Sequence, residues 1–331
     1  MNTIADTIAK VTLGEKQALE KLSVIPLVRP DTFELDYLTL EEANREGSAS
    51  ITETSMEGTV PELVFRNDAD KAVLLMDGEE LTGAKQNRIV NLTILAPARS
   101  KISIPVSCVE AGRWHHESTE FAVADRAMFS RARARKSEDI SASLMRNGQR
   151  NSRQGEVWED IALKAAQMRC ESPTAAMASM FESHRGSLEA YVVALQPVEG
   201  QVGAIFLIDG EVAGIELFDH TATLQRLMPK LVRSYALDAL DTSHHAGRAQ
   251  KNTTTAQDRL KQLSVARVQS FPAVGEGNDL RLTDEHFAGG ALQARGRLVH
   301  LCAFPKRLNT PATYTDSSGL VRASIRRRAY H

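Results

Sequence analysis

Three cysteines in 331 residues, Cys108, Cys170 and Cys302, are too scattered and odd in number for a disulfide framework. They fit a reducing compartment, and no two stand at zinc-ligand spacing, so no metal site is expected. Long apolar runs are missing too. Nowhere do 18 apolar residues follow one another, which excludes a membrane-spanning helix, and the opening MNTIADTIAKVTLGEK has no apolar stretch of a signal peptide. A cytoplasmic protein is expected. Nor is there an excess of one charge: 40 Lys+Arg against 42 Asp+Glu leave a net −2, so no overall field steers the chain to nucleic acid or to an anionic membrane. P-loop, dinucleotide-binding glycine fingerprint and serine elbow are all absent. What is present is 42% hydrophobic residues, enough for one large domain or two ordinary ones.

The chain reads as helix-permissive to about Leu22, then as a short edge strand from Ser23 to Val28, since Pro26 cannot donate to a ladder. Thr39-Leu40-Glu41-Glu42 has capping-box spacing and starts a short helix that stops near Gly47. Residues 60 to 110 read as β-rich, with Ala72 to Met76 a buried strand turned by Asp77-Gly78. Between Phe121 and Arg153 lie Arg126, Arg131, Arg133, Arg135, Lys136, Arg146, Arg150 and Arg153 with few large apolar residues, the pattern of a mobile excursion or long functional loop, first of all a solvated surface and otherwise a lid over an anionic ligand. Val157, Trp158, Ile161 and Ala165 restore helical periodicity, and Ser172-Pro173 has the form of a second helix start. Tyr191 to Leu195 and Gly203 to Ile208 read as strands, Asp209-Gly210 as a turn, and Leu224 to Tyr235 as an amphipathic helix kinked by Pro229. Thr242 to Gln257 reads as a linker. Leu263-Ser264-Val265 and Leu298 to Leu301 are β-like, and a polar tail carries Arg326-Arg327-Arg328. Val73 to Glu79 echoes Ile205 to Glu211, and Leu22 to Val24 echoes Leu263 to Val265, from either a weak internal duplication or the common grammar of strand and turn.

The chemistry concentrates between Asp77 and Trp114. Residues 85–95 and 101–110 both alternate, and pairing Leu95 with Lys101 across a five-residue loop sets Ile94 opposite Ile102, Leu92 opposite Ile104 and Val90 opposite Val106. The same register puts Arg88 opposite Cys108 and Gln86 opposite Glu110, so one rim of an apolar face turns polar. Glu79, Glu80 and Lys85 lie upstream, Arg113 and Trp114 downstream. Such a set suits a phosphorylated or nucleotide-like ligand, with Arg88 and Arg113 forking onto phosphate, Trp114 stacking a ring, Gln86 orienting substrate or water, and Glu79, Glu80 or Glu110 as acid or base.

Blander readings stand beside each of these. Arg88 and Glu110 are also what strand-end ion partners look like, Cys108 has no histidine placed beside it by sequence and reads more as a small core residue than as a nucleophile, and Trp114 reads equally as a core plug. His115-His116 and His244-His245 are adjacent pairs whose rings diverge, which argues against metal ligation.

The run Asp77-Gly78-Glu79-Glu80-Leu81-Thr82-Gly83-Ala84-Lys85-Gln86-Asn87-Arg88, with Ile104-Pro105-Val106-Ser107-Cys108-Val109-Glu110-Ala111-Gly112-Arg113-Trp114, resembles a bacterial domain family. That family is named for its association with ADP-ribosylglycohydrolases and with rhodanese and phosphatase superfamily proteins. Gln154 with Val157-Trp158, and Ser172-Pro173-Thr174, match in order, and the resemblance runs from the first strands to about Leu240. It implies a role around ADP-ribose, NAD-derived nucleotides or related metabolites, with Glu79, Glu80, Lys85, Gln86, Arg88, Cys108, Glu110, Arg113 and Trp114 as motif positions.

The expected class is α+β, with antiparallel hairpins from residues 20–114 and 190–218 and helices on one side. Residues 1–240 form the main domain, 241–258 a linker and 259–331 a C-terminal extension and tail. Three functions stay open: a ligand-binding or enzymatic domain for ADP-ribose-like or other phosphorylated small molecules, a non-catalytic sensor or scaffold that binds such a ligand or a protein partner, and a thiol enzyme using Cys108. The cofactor is left unknown.

Overall fold

The computed structural model describes residues 3–55, 61–115, 118–241 and 255–306. Among them eight helices and eighteen strands form three sheets, so the class is α+β with mainly antiparallel pairing. The largest sheet has nine strands. From one edge it runs Thr12–Leu13, Leu22–Val28, Gln201–Ile208, Glu211–Phe218, Arg297–Pro305, Phe287–Ala294, Asn278–Leu282 and Val268–Pro272, with Gln17–Leu19 also on Leu22–Val28. Alternation along its central strands divides two cores. Ile205, Leu207, Ile215 and Leu217 face the helices Thr3–Ile8 and Ala256–Ser264, whereas Ala204, Phe206 and Phe218 face the helix Thr221–Leu240. Helices therefore cover both faces of this sheet, not one.

Two smaller sheets enclose a third core. One, of three strands, orders Ile94–Ala96, Ala72–Leu75 and Tyr37–Thr39, the last two parallel. The other orders Phe121–Ala127, Glu79–Gly83, Arg88–Val90, Ser100–Cys108, Glu62–Asn67 and Ala49–Glu53. The capping box forms as read: the Thr39 hydroxyl accepts from Glu42 N, and the Glu42 carboxylate accepts from Thr39 N, at the start of the helix Leu40–Arg45. Thr39→Ala is expected to cost about 1 kcal/mol in a urea melt, as an N-cap does. An unchanged midpoint would show that the parallel pairing alone holds this turn.

Several local expectations are corrected by tertiary context. Leu22–Val28 is interior, because the missing N–H of Pro26 falls at the break between two short neighbouring strands while its carbonyl accepts from Gly14 N at 2.8 Å. The opening segment holds one short helix, then strands. The Arg-rich stretch is no loop: Phe121–Ala127 is a strand and Ser130–Asn147 a largely buried helix ended by Gly148 at φ +73°. Tyr191 to Ala194 belongs to the helix Arg185–Ala194, and Leu263-Ser264 ends another, which removes the second half of the internal echo. Ser172-Pro173 opens a turn, and helix begins only at Ala178. The proposed hairpin is half right. Arg88 does pair with Cys108 and Val90 with Val106, but Ile102 and Ile104 pair with Phe65 and Leu63, and Ile94 pairs with Leu75 in another sheet. His116, His244, His245, most of the linker and Arg326-Arg327-Arg328 lie outside the described residues.

Candidate functional site

Strand alternation splits the acidic run after Asp77. The carboxylates of Asp77, Glu79 and Glu80 are all buried, and Glu79 and Glu80, adjacent on the strand Glu79–Gly83, take partners on different elements. Asp77 meets Arg133 and Lys136 of the Ser130–Asn147 helix, each at 3.1 Å. Glu79 is wholly buried, bonded to Lys230 at 2.8 Å and to the Met76 amide at 2.8 Å. Glu80 is bonded by Arg126 through Nε, and its Oε1 has no partner among the described residues. Burial pushes the Glu80 carboxyl up from its ordinary value, outweighing the Arg126 charge.

The rim read from the sequence forms around Cys108. Arg88 Nη1 donates to Gln86 Oε1 at 2.7 Å, the Cys108 thiol donates to the same oxygen at 3.1 Å, and Gln86 Nε2 donates to the Glu110 carbonyl at 3.0 Å. Gln154 holds the end of this strand with both halves of its amide, accepting from Cys108 N and donating to Cys108 O, each at 2.8 Å. That is the work of an absent strand neighbour, and it accounts for the Gln154 match. Burial pushes the Cys108 thiol up, and Arg88 only partly offsets it. Trp114 is no core plug: it is 49% exposed, with Lys85 Nζ 5.3 Å and the Arg88 guanidinium carbon 5.8 Å from its ring centroid.

Glu110 and Arg113 form a saturated pair. Arg113 Nε and Nη2 reach Glu110 Oε2 at 2.9 and 2.6 Å, Nη1 reaches the Ala84 carbonyl at 2.8 Å, and Nη2 also reaches Asn87 Oδ1 at 3.0 Å. Thr174 donates to Glu110 Oε1 at 2.7 Å and the Asn87 amide to Oε2 at 3.1 Å. Burial would raise this carboxyl, but Arg113, Thr174 and Asn87 hold it below its ordinary value. The Thr174 segment lies so close that a Cβ on Gly112 would stand 2.9 Å from its backbone, so only glycine fits there.

Above this pair opens a cleft of about 510 Å³, between the strand Phe121–Ala127 and the helix Ala178–Ser183. Its charged lining is Glu110, Arg113, Glu120, Arg126 and Glu182, with Thr82, Asn87 and Ser118 as neutral polar groups. Of the nine positions chosen from the sequence, Glu110 and Arg113 line the cleft, and Glu80 stands behind Arg126. Lys85, Gln86, Arg88, Cys108 and Trp114 gather at the adjoining rim. Glu79 belongs to the interior. Sequence reasoning missed Asn87, Glu120, Arg126, Thr174 and Glu182 as site residues. Asn87 and Thr174, each inside a matched motif, and Arg126, in the Arg-rich stretch, gave a signal.

Among the described residues no cluster of His, Cys, Asp and Glu has metal-ligating geometry, and no helix is long and apolar enough to cross a membrane. The fold and cluster define an α+β domain with a polar network beside an open cleft. Residues 10–304 match the ARG and Rhodanese-Phosphatase-superfamily-associated Protein domain, and the chain belongs to that family. Comparison with curated proteins and with solved structures gives no match.

Proposed function

We propose that this is a small-molecule domain whose cleft takes a phosphorylated, sugar-bearing ligand of the ADP-ribose class. The carrying observation is the mixed lining of a ligand-sized cleft built on the family's motif residues. Arg126 turns Nε to Glu80 but keeps Nη1 and Nη2 at 3.9 and 4.0 Å from Asp125 and Glu182, so its outer edge suits a phosphate oxygen. Glu120 and Glu182 are placed to accept from sugar hydroxyls. Arg113, fully engaged within the protein, supports the floor instead of holding phosphate. For turnover, Glu110 at the cleft floor, its carboxyl held below the ordinary value by Arg113, Thr174 and Asn87, is the carboxylate within reach of a ligand. The association that the family's name records agrees with this ligand class and assigns no reaction.

A thermal-shift screen with ADP-ribose, NAD, mononucleotides and sugar phosphates tests the proposal. Ligand at a hundred times its Kd adds about 2.7 kcal/mol to stability, a readily measured rise in midpoint. Glu182→Gln, and Arg126→Met combined with Glu80→Gln so that no buried carboxylate is stranded, are expected to fold and to weaken that response about tenfold or more. Failure of every compound to move the wild-type midpoint would sink the reading. A shift without turnover would favour the sensor. The thiol route finds little support in a buried Cys108 whose pKa is raised, and survival of any activity after alkylation would remove it.

A further inference from the structure

Arg88 is wholly buried, and among the described residues its guanidinium makes one hydrogen bond, from Nη1 to Gln86. Its Nε and Nη2 are buried and have no partner. No carboxylate among the described residues stands against it, unlike Arg113, Arg126 and Arg133, each of which has at least one. An unpaired buried cation is costly, and proteins normally supply its counter-charge. The two bare atoms are not arbitrary. Nε–H and one Nη2–H run parallel along the side edge of the guanidinium, the fork that engages two oxygens of one oxyanion. Trp158 stands beside the neighbouring Cys108 sulfur and turns its buried Nε1 toward that sulfur, so the bare donors here, among the described residues, are those of Arg88 alone. Cys108 cannot serve as the anion while its thiol donates to Gln86 and burial keeps it protonated.

We infer that the Nε/Nη2 edge of Arg88 is a phosphate-binding site beneath Trp114. Trp114 packs over the guanidinium and is half exposed, so it is the side chain that must swing aside to admit the ion and can then close over it. The site is separate from the cleft, which Arg88 does not line, and the inference stands whether or not the cleft binds a sugar.

The test uses the chain's two tryptophans, Trp114 and Trp158, both of which flank the site. Inorganic phosphate is titrated against intrinsic fluorescence for wild type, Arg88→Met and the surface variant Arg66→Met. A saturable change is expected in wild type and in Arg66→Met, with at least about a tenfold weaker response in Arg88→Met. Without phosphate, Arg88→Met should melt no lower than wild type, because it replaces an unpaired buried charge by an apolar chain of similar length. A purely structural Arg88 would instead lower the melt. No saturable change in wild type, or an equal response in Arg88→Met, overturns the inference. Should Arg88→Met fail to fold, Trp114→Ala carries the test through isothermal titration with phosphate: weakened binding supports the site and unchanged binding overturns it. Ribose 5-phosphate in parallel separates the sources, since tighter binding than inorganic phosphate marks a sugar phosphate as the ligand and equal binding marks the free ion. Loss of the Arg88 response with the cleft response intact would leave the cleft reading standing.

Discussion

Arg133→Met should remove about 3–5 kcal/mol of stability at neutral pH, because it strands buried carboxylates that the wild-type guanidinium neutralises. Arg133 lies between Asp77 at 3.1 Å and Glu216 at 2.6 Å, wholly out of water. Tyr235 donates to Glu216 at 2.9 Å, His300 Nε2 lies 3.1 Å from its other oxygen, and His300 Nδ1 reaches Thr93 at 2.7 Å, so one network joins the large sheet to the small ones. Burial would raise both carboxyls, but Lys136 with Arg133 at Asp77, and Arg133 with His300 at Glu216, hold them below their ordinary values. Stability from such groups is present above the ordinary carboxylate range and is lost as pH falls through the depressed values. Wild type should therefore weaken on acidification. In Arg133→Met, Glu216 loses its main cation and accepts a proton more readily, so the penalty should shrink between pH 7 and pH 5. Urea melts at both values check this, and a penalty under about 1 kcal/mol at pH 7 would mean that the network contributes little.

Lys230→Met is expected to cost a similar amount, and its rescue tells where Glu79 belongs. Lys230 Nζ bridges Glu79 at 2.8 Å and Glu41 at 3.2 Å, and Glu79 is wholly buried. Removing the ammonium leaves Glu79 charged and unpaired, a loss of about 3–5 kcal/mol. Adding Glu79→Gln removes that charge while keeping an acceptor for the Met76 amide, so the double variant should recover much of the loss. Ligand affinity in the double variant should equal that of wild type. A Glu79→Gln protein that is stable yet binds nothing would return Glu79 to the site.

The pairing of Arg88 with Cys108 was legible because both segments alternate and their polar ends coincide. The change of partner halfway along Ser100–Cys108 was not, since Ile102 and Ile104 fit opposite Ile94 and Leu92 as well as opposite Phe65 and Leu63. Tyr191 to Leu195 looked like strand by its β-branched and aromatic residues. Tertiary packing chose helix, burying Leu188, Tyr191 and Leu195 on one face and leaving Val193 74% exposed. The longest error has the same root. Arg133, Lys136, Ile140 and Leu144 recur at helical spacing, but two are cations, so a search for apolar stripes saw a solvated loop. Their partners, Asp77 and Glu216, lie far off in sequence, where no local pattern could reveal them. Glu182 was hidden for that reason too.

The large sheet also fixes the order in which the molecule can be completed. Pro26 registers with Ala204 and Glu216 with Cys302, so early strands wait for partners from the middle and end of the chain. Closure of such distant pairs is slow, and folding on the scale of milliseconds to seconds is expected. On a ribosome that has released only the first 240 residues, Glu211–Phe218 would have one edge bare and Glu216 would lack His300. The nascent protein is then a sticky intermediate, and its dependence on chaperones should be greatest just before the last strands emerge.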